Sequence, residues 1–363
     1  MSLNLKHDVH AIARNFEIQG EPLSASPYGN GHINDTYCVS FKQASREVRY
    51  IFQRINHLVF KDPVALMENV RRVTEHLAQK VAGEPDAIRH ALKLIPTRDG
   101  SSFICDEAGN VWRAYIFIER ARTYEIAKSP AQASEAAKAF GRFQKMLADL
   151  PRPRLHDTVP DFHYTPKRFA ALETAVQRDA VNRAKLAKLE IEFAMKRKPI
   201  TGILLEAGLP ERVTHNDTKL NNVMFDDVTG EGICVIDLDT VMPGLALYDF
   251  GDMVRTATSP ATEDERDLSK VTMQFPMFEA LAHGYLESGS EFLTPEEKKL
   301  LAFSGKLITF EIGIRFLADF IMGDIYFKVH RDEHNLDRCR TQFRLVESIE
   351  RQEDKMNQLV ERI

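Results

Sequence analysis

One short polar segment between two apolar runs carries residue types that acid–base and metal chemistry require. Asp217 lies in "RVTHNDTKLNNVMF", Lys219 and Asn222 follow it by two and five residues, and Asp237 comes directly after the apolar run "GICVI". A loop carboxylate can accept a hydroxyl proton. Amide and carboxylate oxygens from adjacent hairpin strands suit Mg²⁺, which keeps phosphate oxygens and waters as its other ligands. The spacing favours a phosphoryl-transfer site in which Asp217 is the proton acceptor, Asn222 and Asp237 hold Mg²⁺, and Lys219 places a charge near the transferred group.

A solvated turn is the plain alternative for this segment, because a lone Asp in a polar loop usually caps a turn. Four residue types at fixed offsets are a stronger signal than one. They also lie in a predicted hairpin that interrupts a helical region. The chemical interpretation is therefore favoured.

The elements before residue 120 read mostly as strands. Two β-prone runs flank the Gly-rich turn of "SASPYGNGHINDTYCVSF", "REVRYIFQRIN" alternates as a third strand, and "SSFICDEAGNVWRAYIFIE" predicts a hairpin that turns at Ala108–Asn110. Asp62 as N-cap and Pro63 at the first helical position predict the start of a helix. Its predicted apolar face has helical spacing and comprises Val64, Leu66, Met67, Val70, Val73 and Leu77.

Helical patterns dominate from Ser129 onward. They cover a helix that begins at Ser129–Pro130 and stops at Pro151, the region 166–207, and the region from about 262 to the last residue. Only 212–240 interrupts them, with a hairpin that turns at Thr229–Gly232. We therefore predict an α+β protein with two lobes, an antiparallel β-sheet N-lobe over 1–120 and a mainly helical C-lobe over 121–363. Small-molecule sites tend to lie at such a junction.

Composition excludes several classes of function. A net charge of −5 without a basic stripe disfavours nucleic acid as a partner. The basic clusters Lys167–Arg168 and Lys196–Lys198 are expected on solvated helix faces. Four scattered cysteines indicate neither a zinc site nor a disulfide framework and favour a reducing cytoplasm. No apolar run is long enough to span a membrane, and we expect a monomer or weak oligomer.

The segments "THNDTKLNNVMF", "VIDLDTVMPG" and "YDFGD" resemble the aminoglycoside phosphotransferase and choline kinase group of protein-kinase-like small-molecule kinases. Within that group, the chain is most similar to the N-acetylhexosamine 1-kinases. That narrower resemblance covers nearly the whole chain through "YGNGHINDTY", "LMENV", "FIERARTYE", "LSKV", "GIRFLADF", "GDIYF" and "EHNL". It implies a protein-kinase-like fold and ATP-dependent phosphorylation of the anomeric hydroxyl of N-acetylglucosamine or N-acetylgalactosamine.

The resemblance also implies roles for residues outside the polar segment. His32, Asn34, Arg315 and Tyr326 match sugar contacts. His32 at an exposed hairpin tip, and an internal ion pair between Arg315 and Asp319, are the structural alternatives. Asp239 stands where the kinase Asp-Phe-Gly motif has glycine, so its role is open. Asp249 and Asp252 are expected to orient the catalytic loop or cap the next helix.

The nucleotide side departs further from the kinase pattern. Gly29 and Gly31 suit either a phosphate-binding loop or a plain hairpin turn. The strand position expected to carry the phosphate-binding lysine is Gln53, so the usual pair with Glu68 cannot form. Either Gln53 bonds phosphate without a charge, or Arg54, Arg49 or another cation takes over. The hinge segment Phe117, Ile118 and Glu119 is expected to bind adenine through its backbone.

Two further hypotheses stay open at this stage. The same fold could serve another acceptor, such as another sugar, choline, homoserine or an aminoglycoside. The missing lysine is also compatible with a protein that binds nucleotide without catalysing a reaction. The sequence does not show which sugar epimer is preferred.

Overall fold

The computed structural model describes residues 6–29 and 33–363. Its first part is a five-stranded antiparallel sheet in the order β1-β2-β3-β5-β4. The strands are β1 Glu21–Pro27, β2 Asp35–Gln43, β3 Arg46–Ile55, β4 Ile104–Cys105 and β5 Val111–Ile116. In this register, Gln53 on β3 lies between Thr36 on β2 and Arg113 on β5.

Two helices accompany the sheet, the short α1 Val9–Ala13 and α2 Pro63–Val81. The Asp62 side chain caps α2 by accepting the Ala65 amide at 3.0 Å, and Pro63 takes the first turn, as predicted. Five of the six residues predicted for the apolar face are buried. Val64 is the exception, at 61% exposure, because it lies in the first turn on the water-facing side.

The remainder of the chain is mainly helical with two small antiparallel sheets, ordered β6-β8-β9 and β10-β7. Their strands are β6 Ala121–Arg122, β7 Arg212–Thr214, β8 Val223–Asp226, β9 Gly232–Val235 and β10 Met242–Gly244. The predicted hairpin is therefore confirmed as β8–β9. The helices are α3 Pro130–Leu147, α4 Thr165–Arg178, α5 Lys188–Lys196, α6 Ile203–Glu206, α7 Ala246–Ala257, α8 Phe275–Gly289, α9 Pro295–Lys299, α10 Leu301–Met322, α11 His334–Glu350 and α12 Glu353–Arg362.

Two helix predictions need correction. Helix α7 was not foreseen, although its polar residues recur at helical spacing; all but two of its residues, both aspartates included, are buried. The predicted helix from residue 262 begins only at Phe275, since 262–274 holds just the single 3₁₀ turn Leu268–Lys270. Helix α3 starts after the Ser129 cap as expected and ends at Leu147, before Pro151.

One hydrophobic cluster joins α2 to α3, α7 and α8, so the sheet region and the helical region share packing. Within the described ranges, no helix combines the length and apolar character needed to cross a bilayer. The α+β prediction is confirmed. The lobe boundary at residue 120 stays a prediction.

Packing of α3 on α8 requires a glycine. A Cβ placed on Gly284 would lie 2.3 Å from the Ser134 carbonyl oxygen of α3. We expect Gly284→Ala to lower the free energy of unfolding by about 1–3 kcal/mol, because the helices must separate. Gly83→Ala is the matched control, since nothing lies within 4 Å of its added Cβ. Urea unfolding of both variants checks this, and equal stability of the two would contradict it.

Candidate active site

The loop between β7 and β8 brings together three of the predicted residues. Asn222 Nδ2 donates to the carbonyl oxygen of Asp217 at 2.8 Å and to its carboxylate Oδ2 at 3.1 Å. Lys219 Nζ lies 2.9 Å from the same Oδ2. Burial raises the pKa of Asp217, but the charge and hydrogen bond of Lys219 outweigh it, so the pKa lies below the ordinary aspartate value. Asp217 is therefore an ionised carboxylate held from two sides.

Two aspartates of α7 hold this loop through its backbone. Asp249 accepts the amides of His215 at 2.9 Å and Asn216 at 2.7 Å, and Asp252 accepts the amide of Thr218 at 2.9 Å. Asp249 is fully buried. These contacts agree with the expectation that Asp249 and Asp252 orient the loop.

Asp237 lies next to the loop, at the end of β9. The Ile236 amide donates to the carbonyl of Asn222 at 2.9 Å, which joins the two predicted metal ligands through the backbone. Asp237 adopts φ 61°, a left-handed conformation that Asp tolerates better than most residues.

The donor set at Asp237 fits a divalent cation. Within the described residues, neither the Asp237 carboxylate nor the Asn222 Oδ1 has a hydrogen-bond or ion-pair partner. Water reaches the Asp237 side chain. Even so, the pKa of Asp237 is raised to about 6. Burial by the surrounding protein has the largest effect, and the negative charges of Asp239 and Asp217 add to it. This local excess of negative charge is what a hard cation would neutralise.

The Asp239 carboxylate, unlike that of Asp237, is held by other side chains. It is buried and forms an ion pair with the guanidinium of Arg113 on β5. Asn34 Nδ2 donates to Asp239 Oδ2 at 2.6 Å, and Asn34 Oδ1 accepts the Asn56 amide at 3.0 Å. The open question about Asp239 thus has a structural answer, since it ties the sheet to the helical region.

Arg113 also accounts for Gln53. The Oε1 of Gln53 accepts from Arg113 Nε at 3.1 Å and Nη2 at 2.9 Å, while its Nε2 donates to Thr36 at 3.1 Å. The two arginines named beforehand are paired elsewhere, Arg54 with Asp35 and Arg49 with Glu119. Arg113 is therefore the cation beside the position where a kinase carries lysine. The role of Arg113 depends on strand register, which the sequence alone does not show.

Glu68, the other half of the usual kinase pair, lies 2.9 Å from His156 Nε2 on the surface.

On the predicted nucleotide side, Gly29 ends the first strand region with φ 76°, as a tight turn requires. The predictions for Gly31 and His32 lie outside the described residues. Phe117 is buried beneath the guanidinium of Arg49, 3.8 Å from its ring centroid, and meets Tyr28 edge-on. The amides of Ile118 and Glu119 have no hydrogen-bond partner in the ranges described, which leaves them available to a ligand.

On the predicted acceptor side, Arg315 does not pair with Asp319. Asp319 instead accepts the amides of Ile325, Tyr326 and Phe327 at 2.8–3.0 Å and so shapes the loop that carries Tyr326. Tyr326 is 67% exposed. The guanidinium of Arg315 lies between the rings of Phe162 and Phe327, at 5.7 and 5.6 Å.

Three residues near this acceptor region were not predicted. Arg168, expected on a solvated face, is half-buried and donates to the Phe162 carbonyl; burial and the charge of Arg315 lower its pKa. His163 and Glu311 form a buried pair at 2.8 Å behind the catalytic loop. A histidine and a glutamate so distant in sequence leave no local signal.

Comparison with known proteins agrees with this geometry. A model of the phosphotransferase enzyme family (APH) matches residues 24–282. An aminoglycoside phosphotransferase from Alicyclobacillus acidocaldarius superposes with a TM-score of 0.62 at 12% identity, over 100% of this chain and 98% of that one. An amicoumacin kinase in complex with AMP-PNP and Ca²⁺ gives 0.59 at 14% identity, over 93% and 92%.

A choline kinase from Cryptosporidium parvum gives a TM-score of 0.53 at 15% identity, over 97% of this chain and 96% of that one. At these identities the structural likeness establishes the protein-kinase-like fold, and the family model establishes the family. The chain belongs to the phosphotransferase enzyme family.

Proposed function

We propose that this protein is an ATP- and Mg²⁺-dependent kinase that phosphorylates the anomeric hydroxyl of N-acetylglucosamine or N-acetylgalactosamine to give the sugar 1-phosphate. The observation that carries the reaction class is the ionised Asp217 carboxylate, fixed by Lys219 and Asn222 beside Asp237, whose carboxylate has no partner among the residues described. We also propose that the site lies where 1–120 meets 121–363 and that the protein works in the cytoplasm.

Each residue at the centre has one task in this proposal. Asp217 accepts the hydrogen bond and then the proton of the sugar hydroxyl as its oxygen attacks the γ-phosphorus. Asn222 and Asp237 would hold Mg²⁺, which when bound neutralises phosphate charge. Lys219 keeps Asp217 in place and adds positive charge next to the transferred group. Positioning and charge suffice, because phosphoryl transfer needs little covalent help.

The nucleotide contacts follow from the sheet. The amides of Ile118 and Glu119, which have no partner among the described residues, would bind adenine, and Gly29 with Gly31 would cover the phosphates. Arg113 is fully buried and paired with Asp239, and it holds Gln53, so on this side it would act on the phosphates through the Gln53 side chain.

The acceptor side favours a neutral sugar over a cationic acceptor. Its side chains are the guanidiniums of Arg168 and Arg315 and the rings of Phe162 and Tyr326. The nearby carboxylates are already bound, Glu311 to His163 and Asp319 to backbone amides. A choline or aminoglycoside cation would meet like charge here, whereas sugar hydroxyls suit arginine donors and aromatic faces. Arg315, Tyr326, Asn34 and His32 remain the proposed sugar contacts.

A coupled assay of ADP release tests the proposal. We expect turnover with N-acetylglucosamine or N-acetylgalactosamine at least tenfold above that with glucose, galactose, choline or an aminoglycoside, because a site bonded to the acetamido group penalises its absence. Phosphorus NMR of the product should show coupling to the anomeric proton. Phosphate on another hydroxyl would contradict the proposal. Nucleotide binding without ADP release for any acceptor would favour the non-catalytic module.

A further inference from the structure

His163 lies behind the catalytic loop with an acceptor at each ring nitrogen. Nδ1 lies 2.8 Å from Glu311 Oε1, and Nε2 lies 3.1 Å from the backbone carbonyl oxygen of Asn216. The His163 side chain is 2% exposed and that of Glu311 is fully buried. A carboxylate and a carbonyl can only accept, so both bonds require a hydrogen on each nitrogen.

The neighbouring His215 shows the contrasting case. Its Nε2 donates to the Ile236 carbonyl at 2.9 Å, while its Nδ1 accepts the amide of Asp217 at 3.3 Å. One ring hydrogen satisfies both of those contacts. At His163 a neutral ring would satisfy only one contact and leave a lone pair facing an oxygen.

The surroundings of His163 favour a charged ring. Burial alone lowers the pKa of His163, but the Glu311 carboxylate, with a smaller effect from Asp252, outweighs it and raises the pKa above the ordinary value. The groups that face the pair are Arg315 from α10, Asp252 and Tyr248 from α7, and from α4 Arg168 and the Thr165 hydroxyl, which donates to Glu311 at 2.6 Å. The catalytic loop presents the Asn216 carbonyl, one residue before Asp217.

We propose that His163 is an imidazolium whose Nε2–H bond to Asn216 positions Asp217 for phosphoryl transfer, and that loss of this proton at alkaline pH releases the loop. His163 is thus a positioning residue, since it reaches the reacting atoms only through Asn216. Asn216 has φ 65°, a left-handed conformation in which its amide donates to Asp249 and its carbonyl accepts from His163. The kinetic part of this inference rests on the proposed function.

The sign of the pH dependence follows from the raised pKa. The charged ring and its second hydrogen bond are complete below the pKa of an unfolded histidine, about 6.5, and are lost as pH rises through the higher pKa of the folded protein. Glu311→Gln removes the charge that sustains the imidazolium but keeps an oxygen that accepts from His163 Nδ1, with the amide nitrogen donating to the Thr165 hydroxyl. We expect this variant to lose its second ring proton at lower pH than the wild type.

Nitrogen NMR of histidine-labelled protein tests the charge without any acceptor. As pH rises above about 6.5, the pKa of an ordinary histidine, we expect one ring of the 12 histidines to keep both protons after the others have lost one, and its signal to disappear from the spectrum in His163→Gln. We also expect the Asp217 amide signal to titrate with that ring. The inference would be overturned if His163 lost its second ring proton no later than an ordinary histidine does, or if the Asp217 amide signal did not change while His163 titrates. Both readouts are independent of the proposed sugar.

Kinetics with N-acetylglucosamine complete the test. In Glu311→Gln we expect kcat at about pH 8 to fall by roughly 10- to 100-fold with little change in the KM for sugar, because the loop is misplaced and the sugar contacts are not. The matched control is His76→Gln on α2, whose ring also faces a carbonyl and a carboxylate, and it should leave the pH profile unchanged. An unchanged alkaline limb in Glu311→Gln would refute the coupling.

Discussion

Replacing Asp217 by asparagine is expected to lower kcat by about 10²–10⁴-fold, the range that a positioned general base contributes. Asparagine fills the same space and can still accept from Lys219 and Asn222, but its amide cannot take the proton of the acceptor hydroxyl. Acceptor and nucleotide binding should change little. ADP release measures turnover, and isothermal titration measures binding.

The stability of this variant separates chemistry from folding. The Asp217–Lys219 pair is half-buried, so replacing its carboxylate by a neutral amide beside the Lys219 ammonium is expected to change the free energy of unfolding by less than about 1 kcal/mol. Asp354→Asn on α12 is the matched control, because Asp354 is exposed and far along the chain from the site. Near-normal turnover in Asp217→Asn would refute the proposed role of this carboxylate, whatever the acceptor.

Sequence could predict the centre of the site because the spacing of its residues is local. Asp217, Lys219 and Asn222 belong to one loop, and a single hairpin returns Asp237 beside them. Asp62 and Ser129 likewise predict where their helices begin, because each cap side chain accepts the amide of a residue only three positions later. The hydrophobic face of α2 could also be predicted, because its apolar residues recur at helical spacing within one segment.

Sequence could not predict the contacts that depend on distant partners. Arg113 and Asp239 are 126 residues apart, and His163 and Glu311 are 148 apart. Each pair forms because strand register or helix packing brings two polar groups into one buried space, which no local pattern records.

Helix α10 links the acceptor side to the loop. Glu311, Arg315 and Asp319 follow one another at intervals of four residues and so share one face. Glu311 holds His163, Arg315 lies between two aromatic rings, and Asp319 holds the loop of Tyr326. A shift of this one helix would therefore move the proposed sugar contacts and the support of Asp217 together.

Removal of Arg113 is expected to have the largest effect on stability. In Arg113→Met, Asp239 would keep its buried position with no cation, which costs about 3–5 kcal/mol, and ATP use should fall with it because Gln53 loses the guanidinium that holds it. Gln53→Lys alone should also be harmful, because its ammonium would lie against the Arg113 guanidinium. Thermal unfolding and the kcat/KM for ATP measure both effects.

The double variant Arg113→Met/Gln53→Lys decides whether the charge or the particular residue matters. Residues 53 and 113 are cross-strand neighbours, so a lysine at 53 can extend into the space vacated by the arginine and reach Asp239, which restores the charge from the strand position where kinases carry it. We expect the double variant to be more stable than either single variant and to recover a large part of the kcat/KM for ATP. Arg71→Met is the control, since its exposed pair with Glu75 should contribute only about 0.3–0.5 kcal/mol. If the double variant were no better than Arg113→Met, the charge could not be moved between the strands, and Arg113 would not be the counterpart of the kinase lysine.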